Sequence, residues 1–124
     1  MVFLNGGIKK MFNKLKSFYR RGRYGWDYSD CFGWKCMNNY LSTIIPQMIK
    51  HLSTKNTYPP QFNSIEEWHD TLLEIVNGFE VYNNYKNYYI SENPKQYLLE
   101  YKRVKKELDK SLKLFSKHFT NLWW

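Results

Sequence analysis

Cysteine is scarce in this sequence: Cys31 and Cys36 are the only two. Two thiols cannot supply the cross-linked framework of a small secreted domain, and such low usage fits a reducing compartment. Metal binding is not expected either. The Cys-x4-Cys spacing has no second pair to complete a zinc site, and His51, His69 and His118 are scattered along the chain. The cysteines read instead as small apolar side chains. Long apolar runs are also missing. No stretch approaches the roughly 18 residues of a transmembrane helix, and Lys9 and Lys10 interrupt the early apolar segment that a signal peptide would need. The expectation is a cytoplasmic protein without a membrane partner.

Catalytic signatures are equally thin. There is no Gly-x-Ser-x-Gly elbow and no local Cys–His signature. The double-glycine turn Asn5-Gly6-Gly7 is too short to cradle a phosphate and lacks a following Lys-Ser/Thr. Neither a cofactor nor a catalytic residue is expected. One polar cluster keeps a nucleotide-acting hydrolase open as an alternative: Glu66, Glu67, His69 and Asp70. On a helix, Glu66 and Asp70 stand one turn apart and could share a ligand. The start of a helix explains the same residues more simply, because acids are favoured there.

What the chain does have is aromatic rings and positive charge. Its 124 residues suit a single helical domain over 1–124, large enough to bury a core without disulfides or metal. The hydrophobic and charged shares are ordinary, but five Trp, eleven Tyr and eight Phe exceed what one core of this length needs. Some rings should therefore lie at the surface, where Trp and Tyr are typical of interfaces. The net charge of +8 is uneven: residues 1–35 carry +6, residues 36–93 carry −3 and residues 94–124 carry +5. That layout suits an anionic partner; it also suits lysine-rich helix faces that only keep the protein in solution.

Apolar periodicity predicts four helices and almost no strand, an all-α bundle. The first, about 8–21, sets Ile8, Met11, Phe12, Leu15, Phe18 and Tyr19 against a lysine- and arginine-rich face, and Arg21-Gly22-Arg23-Tyr24-Gly25 breaks it. A second spans about 32 or 34 to 51 or 52. Pro46 should kink it and free the Ser42 carbonyl. Ser64 and Glu67 form a capping box that opens the third, with Ile65, Trp68, Leu72, Ile75, Val76 and Phe79 as its stripe. Gly78 weakens this helix near its end, and the asparagines beyond leave the stretch up to Pro94 open. The fourth begins at Asn93-Pro94 and keeps its stripe through Leu122.

The most suggestive surface cluster is Arg20, Arg21, Arg23, Tyr24, Trp26, Tyr28, Trp34 and Lys35. Cations beside flat rings suit phosphate contacts with base stacking. They suit a protein interface equally, since Trp, Tyr and Arg dominate binding energy there. They could also be core plugs and solvated arginines. Tyr58, with Pro59-Pro60, is expected to form a rim. At the C-terminus Trp123 and Trp124 cannot both face one core, so at least one should be exposed or covered, most simply by self-association into a homo-oligomer.

Several of these segments together resemble a family of small helical proteins encoded by bacteriophages and prophages. The shared features are the basic N-terminal helix, Gly25-Trp26-Asp27 followed by Trp34, Tyr40-Leu41, Ile44-Ile45-Pro46, Tyr58-Pro59-Pro60, Glu66-Glu67-Trp68, the run from Ile75 through Gly78-Phe79-Glu80, and 114–123. They span nearly the whole chain, which departs from the pattern by extra residues between Trp26 and Trp34. The resemblance implies origin and brings no catalytic residue with it. Small phage proteins of this kind commonly bind a host enzyme, a defence component or a signalling nucleotide and block it. The expectation is a non-enzymatic accessory protein that neutralises a host factor by binding, either by sequestering an anionic nucleotide or by occluding a host protein. The alternative is nucleic-acid binding through the basic helices at 8–23 and 95–117.

Overall fold

The computed structural model describes residues 2–31, 36–88 and 92–124. It contains four α-helices: α1 (Val2–Tyr24), α2 (Met37–Leu52), α3 (Ile65–Tyr88) and α4 (Pro94–His118). Short 3-10 turns follow at Tyr28–Asp30 and Phe119–Asn121. No strand occurs among the described residues, so the all-α expectation is borne out. The chain divides into two compact units, Met1–Tyr40 and Leu41–Trp124, with the division falling inside α2.

Unit 2 (Leu41–Trp124) holds the apolar core. Ile49, Phe62, Trp68, Leu72, Ile75, Val76 and Phe79 are buried together, with Leu108, Leu114, Phe115 and Leu122 packed against them. The stripe predicted for α3 is therefore the spine of the core. Its start is capped as the sequence implies: the Glu67 amide donates to Ser64 Oγ at 3.2 Å. The Glu67 carboxylate reaches one residue further than the standard box and accepts from the Asn63 amide at 3.0 Å. Both ends of that exchange satisfy donors a helix N-terminus otherwise leaves without partners. At the start of α4 the Asn93 side chain accepts from the Lys95 amide at 3.0 Å, with Pro94 in the first turn.

Two sequence features have different roles from those expected. The helix α3 runs ten residues beyond Gly78, to Tyr88. Gly78 is a point of close approach: a Cβ built there would lie 2.1 Å from Ser111 Oγ and 2.5 Å from the Glu107 carbonyl. The Ser111 hydroxyl accepts from the Gly78 amide and donates to the Glu74 carbonyl, both at 2.9 Å. It thus bonds the two backbone groups that lie one helical turn apart on α3. Pro46 does sit inside α2, and the Ser42 carbonyl it leaves without a helical donor accepts from Asn83 Nδ2 at 2.8 Å. Asn83, one of the asparagines beyond Gly78, is thus one of the ties between α3 and α2, beside the contact of Lys86 with Ser42 Oγ at 3.3 Å and the Lys50–Glu80 ion pair.

Unit 1 (Met1–Tyr40) is built around α1, which begins at Val2 instead of near Ile8 and includes Gly6 and Gly7. Adding residues to an existing helix is far easier than nucleating one, so the amphipathic segment carries the helix back through the glycines. It also passes Gly22 and stops at Gly25, whose φ of +81° closes the helix. The Gly25 amide bonds the Arg21 carbonyl at 2.9 Å. Its own carbonyl accepts from the Tyr40 hydroxyl at 2.6 Å.

Candidate functional site

The arginine-rich end of α1 has become an internal ion-pair network. Asp27 caps the following 3-10 turn and is 1% exposed. Its carboxylate accepts from Arg20 Nε, from the Ser17 hydroxyl at 2.9 Å and from the Ser29 hydroxyl at 2.6 Å. The Ser29 amide adds a contact at 3.2 Å. Asp30 is also buried. It receives Arg21 in a two-pronged contact, from Nη2 at 2.9 Å and Nε at 3.3 Å, and accepts from the Asp27 amide at 2.8 Å. The Ser29 hydroxyl and then Arg20 hold the Asp27 carboxyl far below the ordinary carboxylate range. Hydrogen bonding to Arg21 lowers Asp30, and the same contact raises Arg21 above its usual value.

Of the residues predicted to contact an anion or partner, this region brings Arg20, Trp26 and Tyr28 together, with Arg21 joined to the same turn through Asp30 and Arg23 standing apart. Arg20 lies over the Tyr28 ring at 4.9 Å, and Trp26 meets Tyr28 edge-on at 5.7 Å. Arg23 is exposed, donates to the Tyr19 hydroxyl at 3.1 Å and faces the Tyr24 ring. Trp34 and Lys35 lie outside the described residues. Tyr58 and Pro60 are exposed in unit 2, as a rim requires, while Pro59 between them is fully buried. Arg20 and Arg21 each meet a carboxylate of their own unit, so the cluster presents rings and Arg23 more than free positive charge. The signal for this was in the sequence: Asp27 and Asp30 have capping-box spacing around a tight turn.

Unit 2 carries a second candidate that sequence reasoning did not assemble. An apolar groove of about 510 Å³ is lined by Ile45, Met48, Ile49 and Leu52 from α2 and by Phe115, Phe119, Leu122 and Trp123 from the other side, with His51 and Lys55 completing its wall. The chain end supplies this wall because α4 stops at His118 and the 3-10 turn re-aims Phe119 and the residues beyond. Trp123 is the exposed member of the terminal pair, 67% accessible, and lies against the half-buried Trp124 with ring centres 4.5 Å apart. Of its lining only Trp123 is singled out by the sequence as a surface candidate; Met48 falls in the apolar periodicity of α2.

The core of unit 2 also holds an aromatic nest. His118 packs on Phe62 and Trp68, with ring centres at 5.3 and 6.0 Å. His118 Nδ1 and Trp68 Nε1 are buried with no hydrogen-bond partner among the described residues. Burial, and secondarily Lys117, lowers the His118 pKa below the ordinary histidine value. The acid cluster of α3 is differently occupied: Glu67 caps the helix, His69 Nε2 hydrogen-bonds the Lys55 carbonyl at 3.0 Å, and Glu66 and Asp70 are exposed. No group of three His, Cys, Asp or Glu side chains able to hold a metal comes together among the described residues. Both cysteines are free thiols and half-buried, and Cys36 Sγ donates to Asn38 Oδ1 at 2.6 Å. On α4, Lys102, Lys105, Lys106, Lys110 and Lys113 surround a shallow recess. Lys105 pairs there with Asp109 and Lys110 with Glu107. Comparison of the chain with protein-family models, with curated proteins and with solved structures finds no match.

Proposed function

We propose that the chain is a non-enzymatic binding protein that neutralises a host factor by occluding a host protein, whose apolar side chains seat in the groove of unit 2. The observation that carries this reading is the groove itself: a concave apolar surface rimmed by the exposed Met48, Phe119 and Trp123. Exposed large side chains grouped around a cavity are where protein partners gain most of their affinity. A nucleotide sponge calls for convergent cations in an aromatic-walled pocket. Here the wall is apolar apart from His51 and Lys55, and Arg20 and Arg21 of unit 1 already hold Asp27 and Asp30. That balance favours the protein-occluding version over the nucleotide-sequestering one. The phage-type role comes from the resemblance described above. A second reading, nucleic-acid binding, is favoured by the lysine recess on α4 and predicts affinity that falls steeply with salt.

Replacing Trp123 by a photo-crosslinking amino acid in cells producing the chain tests the reading. A discrete heavier adduct with one host protein is expected, and Met48→Glu should abolish it. An adduct at twice the chain's own mass would make the groove an interface between copies, and nucleic-acid adducts would make its rim a nucleic-acid contact. Either result overturns the proposal.

A further inference from the structure

An amphipathic helix normally hides its apolar stripe against its own protein. The stripe of α1 is uncovered: Ile8, Met11, Phe12, Leu15, Phe18 and Tyr19 are between 50% and 76% exposed. At about 100° per residue these six positions fall within an arc of roughly 120°. The helix carries seven Lys/Arg and no acid. On the same wheel Lys9, Lys16 and Arg23 border one edge of the stripe and Lys14 borders the other. Of the side chains that hold the two buried aspartates, Ser17 lies opposite the stripe, while Arg20 and Arg21 lie outside its two edges, next to Lys9 and Lys14. The carboxylates of the turn are thus neutralised by side chains outside the stripe. The stripe is an exposed apolar band with Lys9, Lys16 and Arg23 along one edge and Lys14 at the other.

We infer that α1 lies flat on an anionic lipid bilayer, with the stripe below the headgroups and the flanking lysines among them. This does not rest on the reading of the groove in unit 2, which uses other residues. Charge complementarity selects the occupant. The stripe needs an apolar medium and both borders need anions at the same depth, which is the layering of an anionic membrane surface. Lysine is well suited to such a border, because its alkyl stem can stay in the apolar layer while the ammonium group reaches phosphate. A nucleic acid would satisfy the cations and leave six large apolar side chains in water. The expectation of no membrane partner came from the absence of a long apolar run. That criterion concerns helices that span a bilayer; a helix lying in its surface needs only a one-sided stripe. No helix among the described residues is long and apolar enough to cross a membrane.

The test is sedimentation of the full chain with vesicles of mixed phosphatidylglycerol and phosphatidylcholine, with vesicles of phosphatidylcholine alone, and with duplex DNA. Partition onto the anionic vesicles and not onto the neutral ones is expected. Leu15→Glu with Phe18→Glu should abolish it, with the circular dichroism of the chain otherwise retained. Lys9→Gln, Lys14→Gln and Lys16→Gln should each weaken it about fivefold, and this series stands even if the glutamate variant fails to fold. Failure to bind anionic vesicles at low salt would overturn the inference. So would equal binding to neutral vesicles, or DNA binding that Leu15→Glu with Phe18→Glu leaves intact while vesicles are ignored. The crosslinking outcome at Trp123 is unaffected by any of these results.

Discussion

In unit 2 the stripe of α3 meets Ile49 and Phe62 and the inner face of α4, and the charged side chains are outside. In unit 1 the order is inverted. The residues buried there, among those described, are Asp27 and Asp30, while the large apolar residues of α1 face outward. The two helices look alike in sequence: both have apolar residues at three- and four-residue spacing. Periodicity therefore tells which residues share a face and leaves open whether that face is covered. Trp68 and Phe18 mark the two outcomes, the first with no exposed surface and the second 76% exposed.

The contrast can be broken by mutation. Trp68→Ala removes a fully buried indole and should cost about 3–5 kcal/mol in denaturant unfolding. Gly78→Ala places a methyl group inside the Ser111 and Glu107 contacts and should cost about 1–3 kcal/mol, as overpacking usually does. At the other extreme, Phe18→Ser should shift stability by no more than about 0.5 kcal/mol, because its ring contributes little to the fold. A Phe18→Ser loss comparable to that of Trp68→Ala would show the stripe of α1 to be part of a core and end the comparison.

Acidification separates the units without mutation, and its effect lies between those extremes. His118 resists protonation in the folded chain and titrates near 6.5 when unfolded. As pH falls below about 6.5 the unfolded chain binds the extra proton first, so unit 2 loses stability, at most about 1.4 kcal/mol per pH unit from this one group. Asp27 and Asp30 act in the same direction but only at lower pH. Their depressed values keep the turn of unit 1 at full strength above the ordinary carboxylate value near 3.9, and it weakens only below that as pH falls toward those values. Urea midpoints measured from pH 7 to pH 4 should fall for the wild-type chain and flatten for His118→Leu. Asp27→Asn should leave that slope intact while raising protease sensitivity around residues 20–30.

Most helix positions could be read directly. The caps at Ser64 and Asn93 and the spacing of Trp68, Leu72, Ile75 and Phe79 depend on neighbours within a turn or two, and local sequence carries that information. The interior partners of special residues could not be read, because they are set by distant chain: Asn83 for the Ser42 carbonyl, Ser111 for Gly78 and Phe62 for Trp68. The arginine cluster illustrates the same divide. Its composition was plain, and the Asp27–Asp30 spacing signals a capped turn, yet which guanidinium each carboxylate takes is set only by the turn at Tyr28–Asp30. Met48 entered the candidate groove for a similar reason: its place on α2 was clear, and what stood opposite was not.

The seat that Ser111 occupies on α3 is one hydroxyl deep. A slip of α4 by one turn would bring Glu107 or Phe115 to that seat, and neither fits beside Gly78. The pair therefore acts as an indexing pin that permits a single alignment of the two longest elements of unit 2. A side chain at 78 would meet the Ser111 side chain and the Glu107 backbone carbonyl together, so Ser111→Gly should relieve only part of the cost of Gly78→Ala, the backbone contact being left in place.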